Sequence, residues 1–247
     1  MTLERKYSEE STNSKNGIVK AAGLAYILII VIGVFNAIFI DSRLIHYDDI
    51  ELTINNIIAN EFLFRFGIVC ELILYVTVII LAVLLYLILK KVNRNLALLA
   101  MIFRVSEALL GITTVLAGFI IVNLLNNQVN ASSIENEQLD VVISTLLSAR
   151  AKGLYIILLL IGFGGTIFLY LFYKSFYIPR ILSIWGIFTY LSMLTLSLIS
   201  ILFPGYPNST EFIFYGLGTL FELMIGFWLL FKGITFQKIE EMPSSDN

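Results

Sequence analysis

The chain has 247 residues, 58% of them hydrophobic and 14% charged, with a mean hydropathy of +0.89. A soluble domain is about 45–50% apolar and about 25% charged, so a soluble globular enzyme, a coiled coil and a disordered chain are excluded. The net charge of −2 gives no bulk basic character for nucleic acid, and one cysteine (Cys70) with one histidine (His46) leaves neither a disulfide framework nor a multi-ligand metal site.

The apolar excess is concentrated in six runs. Met1–Asn16 is polar and reads as an unstructured tail. The first run, Ile18–Ile40, is longer than the roughly 7–15-residue core of a signal peptide. Asp48–Asn60 follows, with Ile50, Ile54, Ile57 and Ile58 at helical spacing and Asp48 or Asp49 placed to cap the start. The second run, Phe62–Leu89, and the third, Asn95–Leu125, both exceed what a hydrocarbon core of ~30 Å requires. Ser132–Ala151 opens with the capping-box pattern Ser132-x-x-Glu135 and continues with Leu139, Val142, Ile143, Leu146 and Leu147. It reads as a short amphipathic helix on or over the outer face, or as a helical extension of the next run. Gly153–Tyr173, Ile181–Phe203 and Phe212–Phe231 complete the runs, and the stretch after Gln237 is again polar. Inside lipid the backbone must satisfy its own hydrogen bonds, and runs without period-2 alternation do so as helices. The expected fold is an all-α, polytopic bundle of six transmembrane helices over residues 18–236, with two short amphipathic outer-loop helices and polar tails at 1–17 and 237–247.

Lysine and arginine set the expected orientation. Eleven of the sixteen (Arg5, Lys6, Lys15, Lys20, Lys90, Lys91, Arg94, Lys174, Arg180, Lys232, Lys238) fall on one side and four (Arg43, Arg65, Arg150, Lys152) on the other, with Arg104 inside a run. The positive-inside rule then puts both termini in the cytoplasm.

Ionisable residues within the runs cost roughly 2.5–3.5 kcal/mol each on insertion scales. Glu71, Arg104, Glu107 and Glu222 are such residues. At 1.5 Å per residue, Glu71 lies about 13 Å down its run, Glu222 about 15 Å down, and Arg104 and Glu107 roughly 13 and 18 Å up theirs. All fall near the midplane, so the second, third and sixth runs are expected to pack around one polar cluster. Three carboxyls then face one guanidinium. A low-dielectric site disfavours leaving all of them ionised, so at least one carboxyl is expected to be protonated unless water or a cation balances it.

Smaller features have packing readings. Gly67-x-x-x-Glu71-Leu72 recurs as Gly218-x-x-x-Glu222-Leu223, each glycine one turn from its acid. Gly162-Phe163-Gly164-Gly165 offers a close-packing surface or a soft point. Pro179 suits the first turn of the fifth run, Arg180 and Trp185 an interfacial anchor and belt, and Arg65 a partner for Glu61. No His-Glu-x-x-His, Gly-x-Ser-x-Gly, P-loop or dinucleotide fingerprint occurs, so neither a catalytic residue nor a cofactor follows from the sequence.

The stretch Ser175-Phe176-Tyr177-Ile178-Pro179-Arg180-Ile181-Leu182-Ser183-Ile184-Trp185-Gly186 resembles the Ser-x-x-x-Pro-Arg-x-Leu-Ser-x-Trp-Gly signature of a prokaryotic membrane family, the domain of unknown function 4386. Phe103–Ala108, Glu71-Leu72, Leu85-Tyr86, Glu222-Leu223, Trp228-Leu229 and Lys232-Gly233 also fit it. The resemblance implies a polytopic bacterial or archaeal inner-membrane protein, with Glu71, Arg104, Glu107, Pro179, Arg180, Trp185, Gly186 and Glu222 as motif positions. It names no substrate and no reaction. The residues themselves favour a small binding or translocation module, in which Glu71, Arg104, Glu107 and Glu222 meet a proton or a small polar or cationic solute within the lipid bilayer. Two other readings stay open: a structural or stress-associated protein held together by the same cluster, and a lipid-modifying enzyme using one glutamate as general acid or base.

Overall fold

A computed structural model describes residues 3–130, 136–203 and 209–234. Those residues form helices and short connections. The principal helices are α1 (Leu3–Asn36), α2 (Ile50–Ala59), α3 (Glu61–Leu89), α4 (Arg94–Asn130), α5 (Asn136–Ser175), α6 (Arg180–Leu202) and α7 (Ser209–Phe227). π-Helical turns prolong α1 over Ala37–Asp41 and α7 over Trp228–Lys232. Among the described residues, five helical stretches are long and apolar enough to cross a membrane: Asn16–Leu44, Glu61–Leu89, Arg94–Asn126, Gln138–Ser175 and Arg180–Leu202.

Two expectations about the ends of the spans change. The polar N-terminal stretch is helical from Leu3 onward. Once the first run has nucleated a helix, each added residue gains a hydrogen bond without a new nucleus. The second outer-loop segment is not a separate helix, because α5 runs unbroken from Asn136 into the fourth span. Leu139, Ile143 and Leu147 are buried and lie along one stripe of that helix. The capping box at Ser132 and the polar stretch after Gln237 lie outside the described residues.

The first outer-loop segment does form its own short helix. Asp49 caps α2, its carboxylate accepting from Leu52 N at 2.9 Å. The Thr53 hydroxyl ties the connection down by accepting from His46 N at 2.8 Å and donating to His46 O at 3.0 Å. Ile54 and Ile57 are buried beside Leu139 and Ile143, so α2 covers one end of the bundle.

The long helices close into a ring. Each packs on its neighbours in sequence, and α7 returns against α1. Glycine makes the closure tight: a Cβ on Gly23 would stand 2.6 Å from Leu230 N and 2.7 Å from Gly226 O. Within membranes small residues of this kind drive helix association by letting backbones approach. Two apolar clusters fill the ring. One, at the Pro179 end, contains Leu85, Leu89, Phe168, Phe172, Tyr177 and Phe221. The other, beneath α2, contains Ile40, Leu44, Phe64, Ile121, Leu125 and Ile143. The outward faces are also apolar, with Val31, Ile73, Leu109, Phe188 and Leu220 among the exposed side chains.

Candidate functional site

Among the described residues, two groups of charged side chains reach the ring interior. The first is built on α4. Arg104 and Glu107 are three apart, so they share a face. Arg104 Nη1 lies 2.9 Å from Glu107 Oε2, with the two side chains 5% and 3% exposed. Across the ring, the Tyr190 hydroxyl of α6 donates to Glu222 Oε1 of α7 at 2.9 Å. Tyr26 of α1 hydrogen-bonds to Tyr190 and lies in the field of Arg104, Glu107 and Glu222. Four helices therefore contribute to one group, with Arg104, Glu107, Tyr26 and Tyr190 buried and Glu222 part-buried.

Glycines on α5 make that group possible. A Cβ on Gly164 would stand 3.0 Å from Arg104 Cγ and 3.1 Å from Ala100 O. A Cβ on Gly165 would stand 2.6 Å from the Tyr190 ring, and one on Gly162 2.6 Å from Leu194 Cβ. The glycine run is thus a close-packing surface. It lets α4 and α6 press onto α5 from either side and leaves room for a guanidinium and a phenol.

The Pro-Arg-x-Leu-Ser-x-Trp-Gly run seats the other half. Pro179 stands at the cap position of α6, just before the first helical residue, and its carbonyl accepts from Leu182 N at 3.0 Å. The Arg180 guanidinium stacks 3.9 Å from the Phe176 ring centroid and 5.1 Å from that of Tyr173. That contact fixes the α5–α6 corner, where Phe176 adopts φ 58°. Trp185 and Tyr190 meet the Phe221 ring edge-on at 5.9 and 5.7 Å. A Cβ on Gly186 would collide with that same ring. Phe221 precedes Glu222, so the signature fixes where α7 carries its acid.

The second polar place lies nearer the α2 end. Arg150 Nη2 of α5 donates to both carboxylate oxygens of Glu71 on α3, at 2.8 and 3.1 Å. Asn36 Nδ2 of α1 donates to Glu71 Oε1 at 3.2 Å. Asp41 sits in the field of Arg150. Gly118 leaves the space Arg150 Nη1 occupies, since a Cβ there would collide with it. Tyr26 and Asn36 are ten residues apart on α1, which separates the two groups by about 15 Å along the helix. Tyr75 lies between them. It hydrogen-bonds to Thr114 within the field of both Glu71 and Glu107, its ring seated over Gly111.

The structure brings Arg104, Glu107 and Glu222 together and places Glu71 elsewhere. The single four-residue cluster is therefore corrected to a three-residue group joined by two tyrosines, with Glu71 in a separate ion pair. Depth along a run says nothing about azimuth, and Glu71 faces α1 and α5 rather than Arg104. Sequence reasoning assigned Arg150 to an outer loop and passed over Asn36, Tyr26 and Tyr190. The signal for Arg150 was its place after Leu139, Ile143 and Leu147 on one helical stripe. For Asn36 it was a lone amide inside an apolar run. The tyrosines gave none, since phenols are common in spans. Outside the ring interior, Arg65 Nε pairs with Glu61 Oε1 at 2.6 Å, and Asn126 Nδ2 donates to the same oxygen at 2.9 Å. Among the described residues no three His, Cys, Asp or Glu side chains converge as metal ligands would.

The family model described as Domain of unknown function (DUF4386) matches residues 21–233. No curated protein and no solved structure matches the chain.

Proposed function

The chain belongs to that family, and we propose that it is a six-span membrane module whose Arg104–Glu107–Glu222 group binds a proton or a small cation, for storage or for passage across the bilayer. One observation carries this. Among the described residues, the buried Glu107 and the part-buried Glu222 face a single guanidinium, that of Arg104. Ionised together they would leave one negative charge in an apolar core, and a proton or a cation supplies the balance. Tyr190 supports the reading because its hydroxyl can donate to an ionised Glu222 or accept from a protonated one. In the same reading α7 with its π-helical turn forms the sixth span. The lysines and arginines at the Pro179 end then face the cytoplasm with both termini.

Glu71 has a different role. Its bond to Arg150 joins α3 to α5, with Asp41 as a second acid in the same field, so the pair acts as a staple between helices.

Infrared difference spectra of the full chain in lipid, recorded across a pH step, test the proposal. A protonated-carboxyl C=O band is expected, and Glu222→Gln or Glu107→Gln should remove it while the protein stays folded. Absence of any such band in the wild type, or a change in thermal stability alone in both variants, would overturn it.

A further inference from the structure

Arg104, Glu107, Gly111, Thr114 and Gly118 follow one another on α4 at alternating steps of three and four, the spacing of a single helical stripe. The stripe faces the ring interior along its length. Tyr75 of α3 seats its ring over Gly111, and Arg150 of α5 fills the space beside Gly118. Tyr75 is one turn from Glu71 on α3, and Gly111 is one turn from Glu107 on α4, about 6 Å of helical rise in each case. One phenol therefore stands between the Glu71–Arg150 pair and the Arg104–Glu107–Glu222 group. The Thr114 hydroxyl donates to Gly111 O at 2.7 Å, which leaves Tyr75 as the donor in its bond to Thr114.

The line of acids continues toward the α2 end. Asn36 and Asp41 bracket the π-helical turn of α1. Residues five apart on an α-helix point about 140° away from each other. The wider π turn, a frequent feature of functional sites, brings the two round together: Asn36 reaches Glu71 and Asp41 lies in the field of Arg150. Asp41 and Glu71 thus repeat, around Arg150, the two-to-one balance of Glu107 and Glu222 around Arg104. Asp41 is part-buried and is followed by the exposed Ser42 and Arg43, so it is the acid that meets water. Asn36 is 5% exposed, and its Oδ1 has no hydrogen-bond partner while its Nδ2 donates to Glu71. Turning that amide over offers Oδ1 to a protonated Glu71 at the loss of no bond elsewhere, so Glu71 is held with or without a proton.

We propose that Asp41, Glu71, Tyr75 and Glu107 form a proton relay from the α2 end to the interior acidic group. The relay rests on the proposed function and narrows its ligand to the proton. Close packing favours the proton over a metal cation: the Tyr75 ring lies directly on Gly111, and a Cβ on Gly153 would stand 3.3 Å from Thr114 Cγ2. A cation needs several oxygen ligands and a volume of its own, whereas a proton passes between side chains already in place. The Tyr75 oxygen takes the proton of Glu71 as its own O–H swings from Thr114 and yields its proton toward Glu107, so the phenol ends neutral. Other ionisable groups face each end. Tyr47, 58% exposed, lies in the field of Asp41, Glu71 and Arg150, and Cys70 in that of Glu71. Glu107 faces Arg104 and Glu222, with Tyr26 and Tyr190 beside them.

The test follows the infrared C=O band that Glu222→Gln removes, in the full chain in phosphatidylcholine nanodiscs, after a rapid drop in pH. Tyr75→Phe keeps the ring on Gly111 and removes the hydroxyl. It should slow the rise of the band about a hundredfold, the lower end of what a positioned proton donor contributes, and leave the final band and its pH midpoint unchanged. Asp41→Asn should slow the rise about tenfold by the same logic, since Glu71 is only 16% exposed. Tyr170→Phe, on an exposed face of α5, should leave the rate within about twofold of wild type. A wild-type rate in Tyr75→Phe or in Asp41→Asn would overturn the relay and leave the interior site standing. Loss of the final band in Tyr75→Phe would make the phenol a structural part of the acidic group and overturn the relay as well. Absence of the band in the wild type would sink the reading of the acidic group, and the relay with it.

Discussion

Single atoms decide much of the packing in this ring, and two glycines show the contrast. A methyl at position 186 would meet the Phe221 ring and stand 2.9 Å from Leu169 Cδ1, and both side chains are fully buried. Gly186→Ala should therefore cost about 1–3 kcal/mol by overpacking, read as a lower melting temperature in detergent. Gly17→Ala meets nothing within 4 Å and lies on an exposed helical face. It should raise stability by up to about 1 kcal/mol through helix propensity. A drop of equal size in both variants would show that helix flexibility, not the seating of Phe221, sets the requirement. The Glu71–Arg150 pair allows a sharper test, because breaking a buried pair strands one charge while replacing both partners does not. Glu71→Gln should destabilise by roughly 3–5 kcal/mol, and the double change Glu71→Leu with Arg150→Met should recover most of that loss. Denaturation in mixed micelles measures both. A double variant no better than the single would mean the pair does more than hold α3 to α5.

At the scale of elements, α5 carries the clearest prediction. Gln138–Ser175 is 38 residues, about 57 Å at helical rise, well beyond a hydrocarbon core of ~30 Å. Its projecting half shares its buried stripe with α2, and Arg150 stands where that half passes into the span. If the helix is continuous there, the amides of Ala149–Leu154 should exchange with deuterium as slowly as those around Ile157 and Leu158. Fast exchange confined to Ala149–Leu154 would instead mark a hinge between a surface helix and a span. The same segment shows why sequence reading ran short. Long apolar runs announce spans because lipid demands closed backbone hydrogen bonding. An amphipathic stretch beside a span reads equally as a loop helix or as an extension, and only its stripe, Leu139-Ile143-Leu147-Arg150, points inward. Asp49 was legible as a cap because its carboxylate acts on its own chain three residues on. Tyr190 and Tyr26 were not legible, since their partners lie on other helices and lateral packing in lipid leaves no mark in hydropathy.

For the whole molecule, the ring explains which part of the candidate site could be read in advance and what its orientation should be. Arg104, Glu107 and Glu222 were legible as ionisable groups where none is cheap. Their separation from Glu71 was not, because it follows from ring order: α1 lies between α3 and α7 and offers Asn36 to one acid and Tyr26 to the other group. Ring order also alters the charge count. Arg150 is 12% exposed at the side chain and paired, so it belongs to the interior with Arg104. Three basic residues (Arg43, Arg65, Lys152) then remain at the α2 end against ten of the described residues at the other. That asymmetry is larger than the sequence alone suggested, and each basic residue near an anionic leaflet adds about 1 kcal/mol. Labelling decides whether it sets the orientation. Cys70 is the chain's one cysteine, so a Cys70→Ser background accepts single probes at Asp48 and Lys91, both exposed and at opposite ends. A membrane-impermeant maleimide applied to intact cells should label Asp48→Cys at once and Lys91→Cys only after permeabilisation. The opposite pattern would turn the bundle over and place α2 and the Glu71–Arg150 pair toward the cytoplasm. Labelling of both probes in intact cells would remove the closed, oriented ring on which the proposed proton or cation site depends.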